Sequence, residues 1–413
     1  MYFNKWFNIE FSDLFLSKKD QMETPYYLYD MNLLDTTLEQ AQVAAELYNI
    51  KLLYAIKANT NPYILERIRK YGFGIDAVSI GEIKLALTNG FQPYQIAFAG
   101  SGKTKREIDE ALQLNIATIH CESLSEWEYI SSVYPTECTT KIALRVIPNV
   151  YTNTHQHIQT GGNNHKFGIS TEEASRLIQK LIERNSTLLP CGFHFHVGSQ
   201  ITRMDYFEEL SRSVLYFFQT LPSSFSFDYV NLGGGLGINY DDPDNEMIPN
   251  FTGWMRAIRP YFPQDRFPHV YLEPGRSLVG QCGKLITEVQ YIKNRQDEKI
   301  VILDTGMNDL MRPALYGARH HISPMQPHSE TTQFQTYTLS GPSCESTDCF
   351  GKNYSLPELK EGDHIVIHSC GAYAESMRLN YTQRLAPSCV YKEGNNLNMY
   401  TSQRKKIKVE QSF

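Results

Sequence analysis

From about residue 50 to 273, short apolar runs rich in β-branched residues alternate with longer stretches whose apolar side chains recur every three or four positions. The first texture is that of strands buried on both faces, the second that of amphipathic helices. The runs are "LLYAIK" (52–57), "GIDAVS" (74–79), "IAFAG" (96–100), "IATIHC" (116–121), "IALRVI" (142–147), "CGFHFHV" (191–197), "DYVNLGGG" (228–235) and "HVYLEP" (269–274). Helical stretches such as "NPYILERIRKY" and "GEIKLALTNG" lie between them, with glycine at or just past the end. Eight such units over roughly 220 to 250 residues predict an α/β fold built on a (β/α)8 TIM-like barrel.

Beyond residue 275 the pattern changes to alternating segments, "GKLITEVQYIK", "KIVILDT", "FQTYTLSG", "GDHIVIHSC" and "CVYKEGNNLNMY", broken by Gly, Pro and Asn turns. This predicts a C-terminal β-rich domain of barrel or sandwich type. The opening "FNIEFSDLFL" and "TPYYLYD" precede the first barrel unit and are expected to add a strand to that domain. The predicted division is therefore 1–29 with the β domain, 30–274 as the barrel, and 275–413 as the β-rich domain.

A chain of 413 residues exceeds what one core usually supports, which agrees with two domains. Lys and Arg total 39 against 45 Asp and Glu, and basic residues cluster only in "RKKIKVE" (404–410). That balance argues against nucleic acid as a partner. No apolar run reaches bilayer-spanning length, and "MYFNKWFNIEFSDLF" lacks the parts of a secretory signal, so a cytoplasmic protein without a membrane partner is expected. Eight cysteines without CxxC spacing read as reduced thiols.

In a barrel of this kind chemistry sits at the C-terminal ends of the strands, so the polar residues there are the candidates. The first strand run ends in Lys57, the second carries Asp76 and Ser79, the fifth Arg145, the sixth His196 before Gly198 and Ser199. The seventh leads into "GGGLG", and the eighth ends in Glu273, followed by Pro274, Gly275 and Arg276. Lys57 is either a solvated rim residue or ion-pair partner, or an amine that attacks an aldehyde once apolar neighbours lower its proton affinity. His194 and His196 are two apart and face one side of their strand. They read as a metal pair, as a ring that stacks on a cofactor, or as buried core histidines; the other strand ends offer no obvious third histidine ligand. The glycine triplet makes either a tight turn or a backbone cradle for phosphate, and the neighbouring "EPGR" favours the cradle. In "SGPSCESTDC" (340–349) two thiols stand beside two carboxylates, which allows half a metal site, a disulfide, or a nucleophile or acid with a tuning neighbour.

An amine for an aldehyde, a phosphate cradle, a histidine face and a carboxylate together describe pyridoxal 5′-phosphate. Glu273 on the pyridine nitrogen would keep that nitrogen protonated and the ring electron-withdrawing. In this order, "YAIKAN", "HVGSQ", "GGGLG" and "EPGR" resemble the alanine racemase-like, fold type III family of pyridoxal phosphate enzymes. With "MNDLMRPALYGA" (307–318), "GPSCESTD" (341–348) and "CGAYAESM" (370–377) the resemblance narrows to the diaminopimelate decarboxylase branch, from "TPYYLYD" to "CGAYAESMRLNY".

The resemblance implies that Lys57 is the Schiff-base lysine, that His196 stacks on the cofactor ring and that Glu273 partners its nitrogen. Ser199, the backbone of Gly233, Gly234 and Gly235, Gly275, Arg276 and the Tyr373 hydroxyl would hold the phosphate. Asp76, Glu82 and Arg145 would support lysine, cofactor and Glu273 from behind. Cys344 matches the thiol that returns a proton to the substrate, delivered across a homodimer with shared active sites. Arg276, Arg312 and Tyr316, with Tyr373, would read the distal carboxylate of meso-2,6-diaminopimelate, and Glu345 its distal ammonium. The implied reaction yields L-lysine and carbon dioxide, the last step of bacterial lysine biosynthesis, and no metal takes part.

An ornithine or arginine decarboxylase shares the cofactor motifs, but "RPALY" and Glu345 favour diaminopimelate. Alanine racemases place an arginine on the ring nitrogen, and a non-catalytic pyridoxal phosphate carrier resembles a lone barrel. Gly317 and Arg319 depart from the family pattern after "RPALY" and touch fine specificity only. The polar segment 149–170 is a candidate mobile cover or a plain surface loop.

Overall fold

The computed structural model describes residues 22–148, 166–296, 298–326, 333–394 and 396–400. The chain divides into two compact units: Thr36–Gly237 with Pro249–Leu278, and Met1–Asp35 with Ile238–Ile248 and Val279–Phe413. Strand β1 (Tyr26–Asp30) opens the described chain and belongs to the second of these.

The first unit is the barrel. Its strands are β2 (Ile50–Ala55), β3 (Gly74–Ala77), β4 (Ile96–Phe98), β5 (Thr118–Cys121), β6 (Lys141–Ile147), β8 (Gly192–His194), β9 (Tyr229–Asn231) and β10 (His269–Leu272), and a two-residue β7 (Ile169–Ser170) lies outside β6. Every pairing is parallel, and β5 also pairs with β6, which closes the eight strands on themselves. The helices between them start at side-chain caps that take up otherwise unpaired amides. Asn61 caps Pro62–Lys70 and Ser79 caps Ile80–Thr88, while Thr104 with Glu107 and Ser170 with Glu173 form capping boxes.

The period of two along β8 positions the site. Phe193 and Phe195 point outward and meet Phe217 and Phe218 of the helix Met204–Thr220, with Phe193 edge-on to Phe217 at 5.0 Å between centroids. His194 therefore faces inward, as His196 does one pleat later. The greasy face anchors the strand and frees the other for chemistry.

The second unit is β-rich. Its sheet runs β15 (Cys349–Pro357), β14 (Phe334–Ser340), β12 (Lys299–Leu303), β11 (Gly283–Asn294), β1, β17 (Ser388–Glu393) and β18 (Asn396–Tyr400). Off that path β16 (His364–Ile367) pairs with β11 and with β13 (Ile322–Pro324). Strand β1 pairs antiparallel with β11 and parallel with β17, so "TPYYLYD" does add a strand here. "CVYKEGNNLNMY" folds as a hairpin of β17 and β18.

Three sequence expectations need amendment. The segment Ile238–Ile248, inside the span expected for the barrel, groups with the β-rich unit, where Gln281 donates to the carbonyls of Asn239 and Glu246. The boundaries fall at residues 35/36 and 278/279 rather than 29/30 and 274/275. Strand β15 was not expected, because Gly351 (φ +142°) and Asn353 (φ +59°) break its alternation. "FNIEFSDLFL" and "RKKIKVE" lie outside the described residues. No described helix is long and apolar enough to cross a membrane.

Candidate active site

The strand-end residues of the barrel form one connected set. Lys57 sits two residues past β2 in a 3-10 turn, Ile56–Ala58, whose two flanking residues are buried. Its ammonium lies 3.4 Å from Asp76 on β3. Gly275 packs against this turn: a β-carbon there would stand 3.0 Å from that of Ala55 and 3.2 Å from that of Ala58. Burial raises the Asp76 carboxyl to about 7, helped by the nearby Glu273 charge and opposed by Lys57. Glu82 accepts from the Val78 amide at 2.7 Å and so pins the loop between Asp76 and the Ser79-capped helix.

Because the Asp76 value lies above the unfolded-state aspartate range, the folded protein holds the extra proton from about pH 4 to 7, and stability from this group falls as pH rises through 7. Asp76→Asn removes that penalty. In the cofactor-free protein the variant should therefore gain melting temperature over the parent at pH 8, with the gain shrinking by pH 5. Parallel melting curves whose difference is the same at both values would contradict the assignment.

Glu273 is buried past the end of β10 and is held by neutral donors. His194 Nε2 lies 3.1 Å from Oε2, and Asn231 Nδ2 donates to Oε1 at 2.7 Å. Asn231 also donates to the Tyr229 hydroxyl at 3.0 Å, which faces His120 Nε2 at 2.9 Å. The His120 and His194 rings stack at 4.1 Å. Burial lowers both imidazoles well below the ordinary histidine value, so both are neutral. The same burial raises the Glu273 carboxyl, and the Lys57 and Arg145 charges pull it back.

His120 corrects the expectation that no third histidine stands near His194. It comes from the end of β5, and His120, His194 and Glu273 present ligand atoms within 4.8 Å of one another. Each carboxylate oxygen, however, lies at hydrogen-bond distance from a side-chain nitrogen and keeps a further lone pair, and one of those nitrogens is an amide, which is no metal ligand. The cluster is accounted for as a hydrogen-bond network around Glu273.

His196 accepts from the Gly234 amide through Nδ1 at 3.2 Å. Burial keeps the ring neutral, so its proton sits on Nε2. The Gly233 amide donates to Asn231 Oδ1 at 2.9 Å. Of the glycine triplet only Gly235 keeps an amide without a partner among the described residues, as Gly275 does. The triplet is thus required first by packing. A β-carbon on Gly234 would lie 2.1 Å from the Glu273 carbonyl oxygen, and one on Gly233 2.6 Å from that of Phe195. Arg276, next to Gly275 in the chain, donates to Ser199 Oγ at 3.2 Å.

Arg145 on β6 is fixed by Glu122, 2.6 Å away, and lies 4.7 Å over the Phe167 ring. Glu122 also accepts from the amides of Gly100 and Gly168. His120 lies inside the fourth strand run and Glu122 one residue past its end, and neither is among the sequence candidates. Asn231 was read past for its glycines. Of the candidate cover 149–170, residues 149–165 lie outside the described residues; 166–170 are tied down through Gly168 and β7.

The set fits pyridoxal 5′-phosphate: an amine at Lys57, a buried carboxylate for a ring nitrogen, and two open amides with Arg276 for a dianion. Residues 34–280 match the family described as pyridoxal-dependent decarboxylase, pyridoxal binding domain. The chain belongs to the pyridoxal-dependent decarboxylases. It is 38% identical to a diaminopimelate decarboxylase of Bacteroides thetaiotaomicron, covering 90% of this chain and 96% of that one. A Helicobacter pylori diaminopimelate decarboxylase is 36% identical, over 88% of each chain. Among solved structures, a diaminopimelate decarboxylase from Helicobacter pylori complexed with L-lysine superposes with a TM-score of 0.83 at 34% identity, covering 93% of this chain and 95% of that one. A viral arginine decarboxylase at 21% identity shares the fold alone.

The remaining candidates of this pyridoxal-dependent decarboxylase lie in the β-rich unit. Arg312 is buried, its Nη1 2.6 Å from His320 Nε2 and its guanidinium 4.3 Å over the Tyr240 ring. It starts the short helix Arg312–Tyr316, which Gly317 ends at φ +63°, a conformation that explains glycine there. Tyr316 is exposed. Arg319 stacks 4.3 Å over Tyr354 and donates to the Lys352 and Asn353 carbonyls, so it supports the irregular β15.

Cys344 is exposed and Cys349 half-buried, and both are free thiols, which removes the disulfide reading. Asp348 holds the turn between them, accepting from the Ser343 and Met307 amides at 2.7 Å each. Glu345 accepts from the Tyr381 hydroxyl at 2.7 Å. Tyr373 adopts φ +57°, a constrained backbone for a bulky residue.

Proposed function

We propose that this chain decarboxylates meso-2,6-diaminopimelate to L-lysine and carbon dioxide. The observation that carries the reading is the similarity to diaminopimelate decarboxylases along nine-tenths of the chain, 38% identical in one case. The buried Glu273 among neutral donors supports it, because a carboxylate there suits a protonated ring nitrogen as an arginine does not. When bound, pyridoxal 5′-phosphate would supply an electron-withdrawing ring suited to decarboxylation.

In this reading Lys57 holds the cofactor aldehyde through Nζ, and Asp76 keeps that amine oriented. His196 would lie against the ring face and Glu273 would accept from its nitrogen. Ser199, Gly235, Gly275 and Arg276 hold the phosphate, with the Tyr373 hydroxyl. Cys344 gives a proton to the substrate Cα. Arg312 and Tyr316 bind the distal carboxylate and Glu345 the distal ammonium. The enzyme works as a homodimer in which Cys344 and Glu345 serve the barrel of the other copy.

An arginine that reads a carboxylate by two parallel hydrogen bonds rejects substrates lacking that group by about 10⁴-fold. The protein should therefore favour diaminopimelate over L-lysine or L-ornithine by roughly that factor in kcat/KM. Arg312→Lys keeps the charge but loses the fork, and should lower kcat/KM for diaminopimelate about 100-fold, mostly through KM. Steady-state kinetics on the three substrates check both; an unchanged KM in the variant would remove Arg312 from the substrate site.

A further inference from the structure

We infer that Asn231 is a positioning residue that ties the two cofactor-holding ends of the barrel together, fixing Glu273 through its amide nitrogen and the glycine loop through its amide oxygen. The inference rests on the proposed role of Glu273 as partner of the ring nitrogen.

The side chain's three bonds leave no ambiguity about which way the amide points. Its oxygen must be the atom 2.9 Å from the Gly233 N–H, because that partner can only donate. The nitrogen then carries both protons, one to Glu273 Oε1 at 2.7 Å and one to the Tyr229 hydroxyl at 3.0 Å. The Tyr229 hydroxyl still has its own proton to place, and the acceptor at hand is His120 Nε2, 2.9 Å away. That places the proton of the neutral His120 ring on Nδ1, 3.9 Å from Glu273 Oε1. His194 supplies the donor to Oε2. These side chains offer the carboxylate N–H groups and no competing acceptor.

Asn231 and its partners are buried within the barrel, on β9 beside β8 and β10, so a bond lost here is not replaced by water. Gly233 in turn precedes Gly234, whose amide holds His196, and Gly235, whose amide is open. One amide group thus orders the nitrogen partner, the ring-facing imidazole and the anion-facing loop.

Aspartate separates the two halves of this role. Asn231→Asp still accepts from Gly233 but turns the donor toward Glu273 into a second carboxylate oxygen, which must share a proton with it. Asn231→Ala loses both ties. The test titrates cofactor-free parent, Asn231→Asp, Asn231→Ala and Glu273→Gln with pyridoxal 5′-phosphate by absorbance, and measures kcat of each, with melting curves to establish folding. For Asn231→Asp the expected cofactor Kd stays within about threefold of the parent while kcat falls about 100-fold; Asn231→Ala weakens both. Should Asn231→Asp not fold, His194→Leu reads the same split from the other carboxylate oxygen. A damaging Glu273→Gln alongside a harmless Asn231→Asp, or equal loss of cofactor affinity in the Asp and Ala variants, overturns the inference. A harmless Glu273→Gln instead overturns the reading on which it rests.

Discussion

Lys57→Ala should abolish turnover, by roughly 10⁴-fold or more, while leaving the fold intact. The amine stands at the barrel mouth, part-exposed and 3.4 Å from Asp76, on a turn whose neighbours Ile56 and Ala58 supply the packing. Removing it costs chemistry and little core. Borohydride followed by peptide mass analysis should attach the cofactor to Lys57 in the parent and nowhere in the variant. A label on another lysine, or turnover within tenfold of the parent, would displace Lys57 from its role.

The second large effect belongs to Cys344. Cys344→Ala should lower kcat by about 10²- to 10³-fold, the usual cost of losing a proton donor, with cofactor affinity unchanged. The thiol is exposed, and its turn is held by Asp348, so alanine removes a reactive group without disturbing support. If the thiol serves the other copy's barrel, Lys57→Ala and Cys344→Ala chains complement each other. Random exchange makes half the dimers mixed, each with one intact site of two, so about a quarter of parental activity should return. No recovery after demonstrated subunit exchange would place both residues in the same copy's site.

The barrel was legible because its signal is local. All eight runs became strands, since buried parallel strands need unbroken apolar stretches and capped helices announce their starts. Lys57, Glu273 and the histidines followed from the rule that strand ends carry chemistry. Asn231, His120 and Glu122 did not, because what makes them important is a partner more than 20 residues away in sequence: His120 meets Tyr229, and Glu122 meets Arg145. The glycine triplet was found for a partly different reason from the one that requires it. A phosphate cradle predicts open amides, yet Gly233 and Gly234 spend theirs on Asn231 and His196. The grouping of Ile238–Ile248 with the β-rich unit was invisible for the same cause, resting on Gln281 reaching back to Asn239 and Glu246.

In the β-rich unit, resemblance carried more than pattern. "SGPSCESTDC" offered a metal half-site, a disulfide or a tuned acid, and local sequence did not choose. Its geometry separates the residues: Asp348 braces the turn, Cys349 begins β15, Cys344 is exposed, and Glu345 accepts from Tyr381.

The central claim is the reaction itself, and carbon dioxide release tests it most directly. The purified protein, loaded with pyridoxal 5′-phosphate, is offered meso-2,6-diaminopimelate, L-lysine, L-ornithine and L-arginine in parallel, and gas and amine products are quantified. The account predicts one equivalent each of carbon dioxide and L-lysine from diaminopimelate and negligible release from the other three. Release from ornithine or arginine with none from diaminopimelate would contradict it.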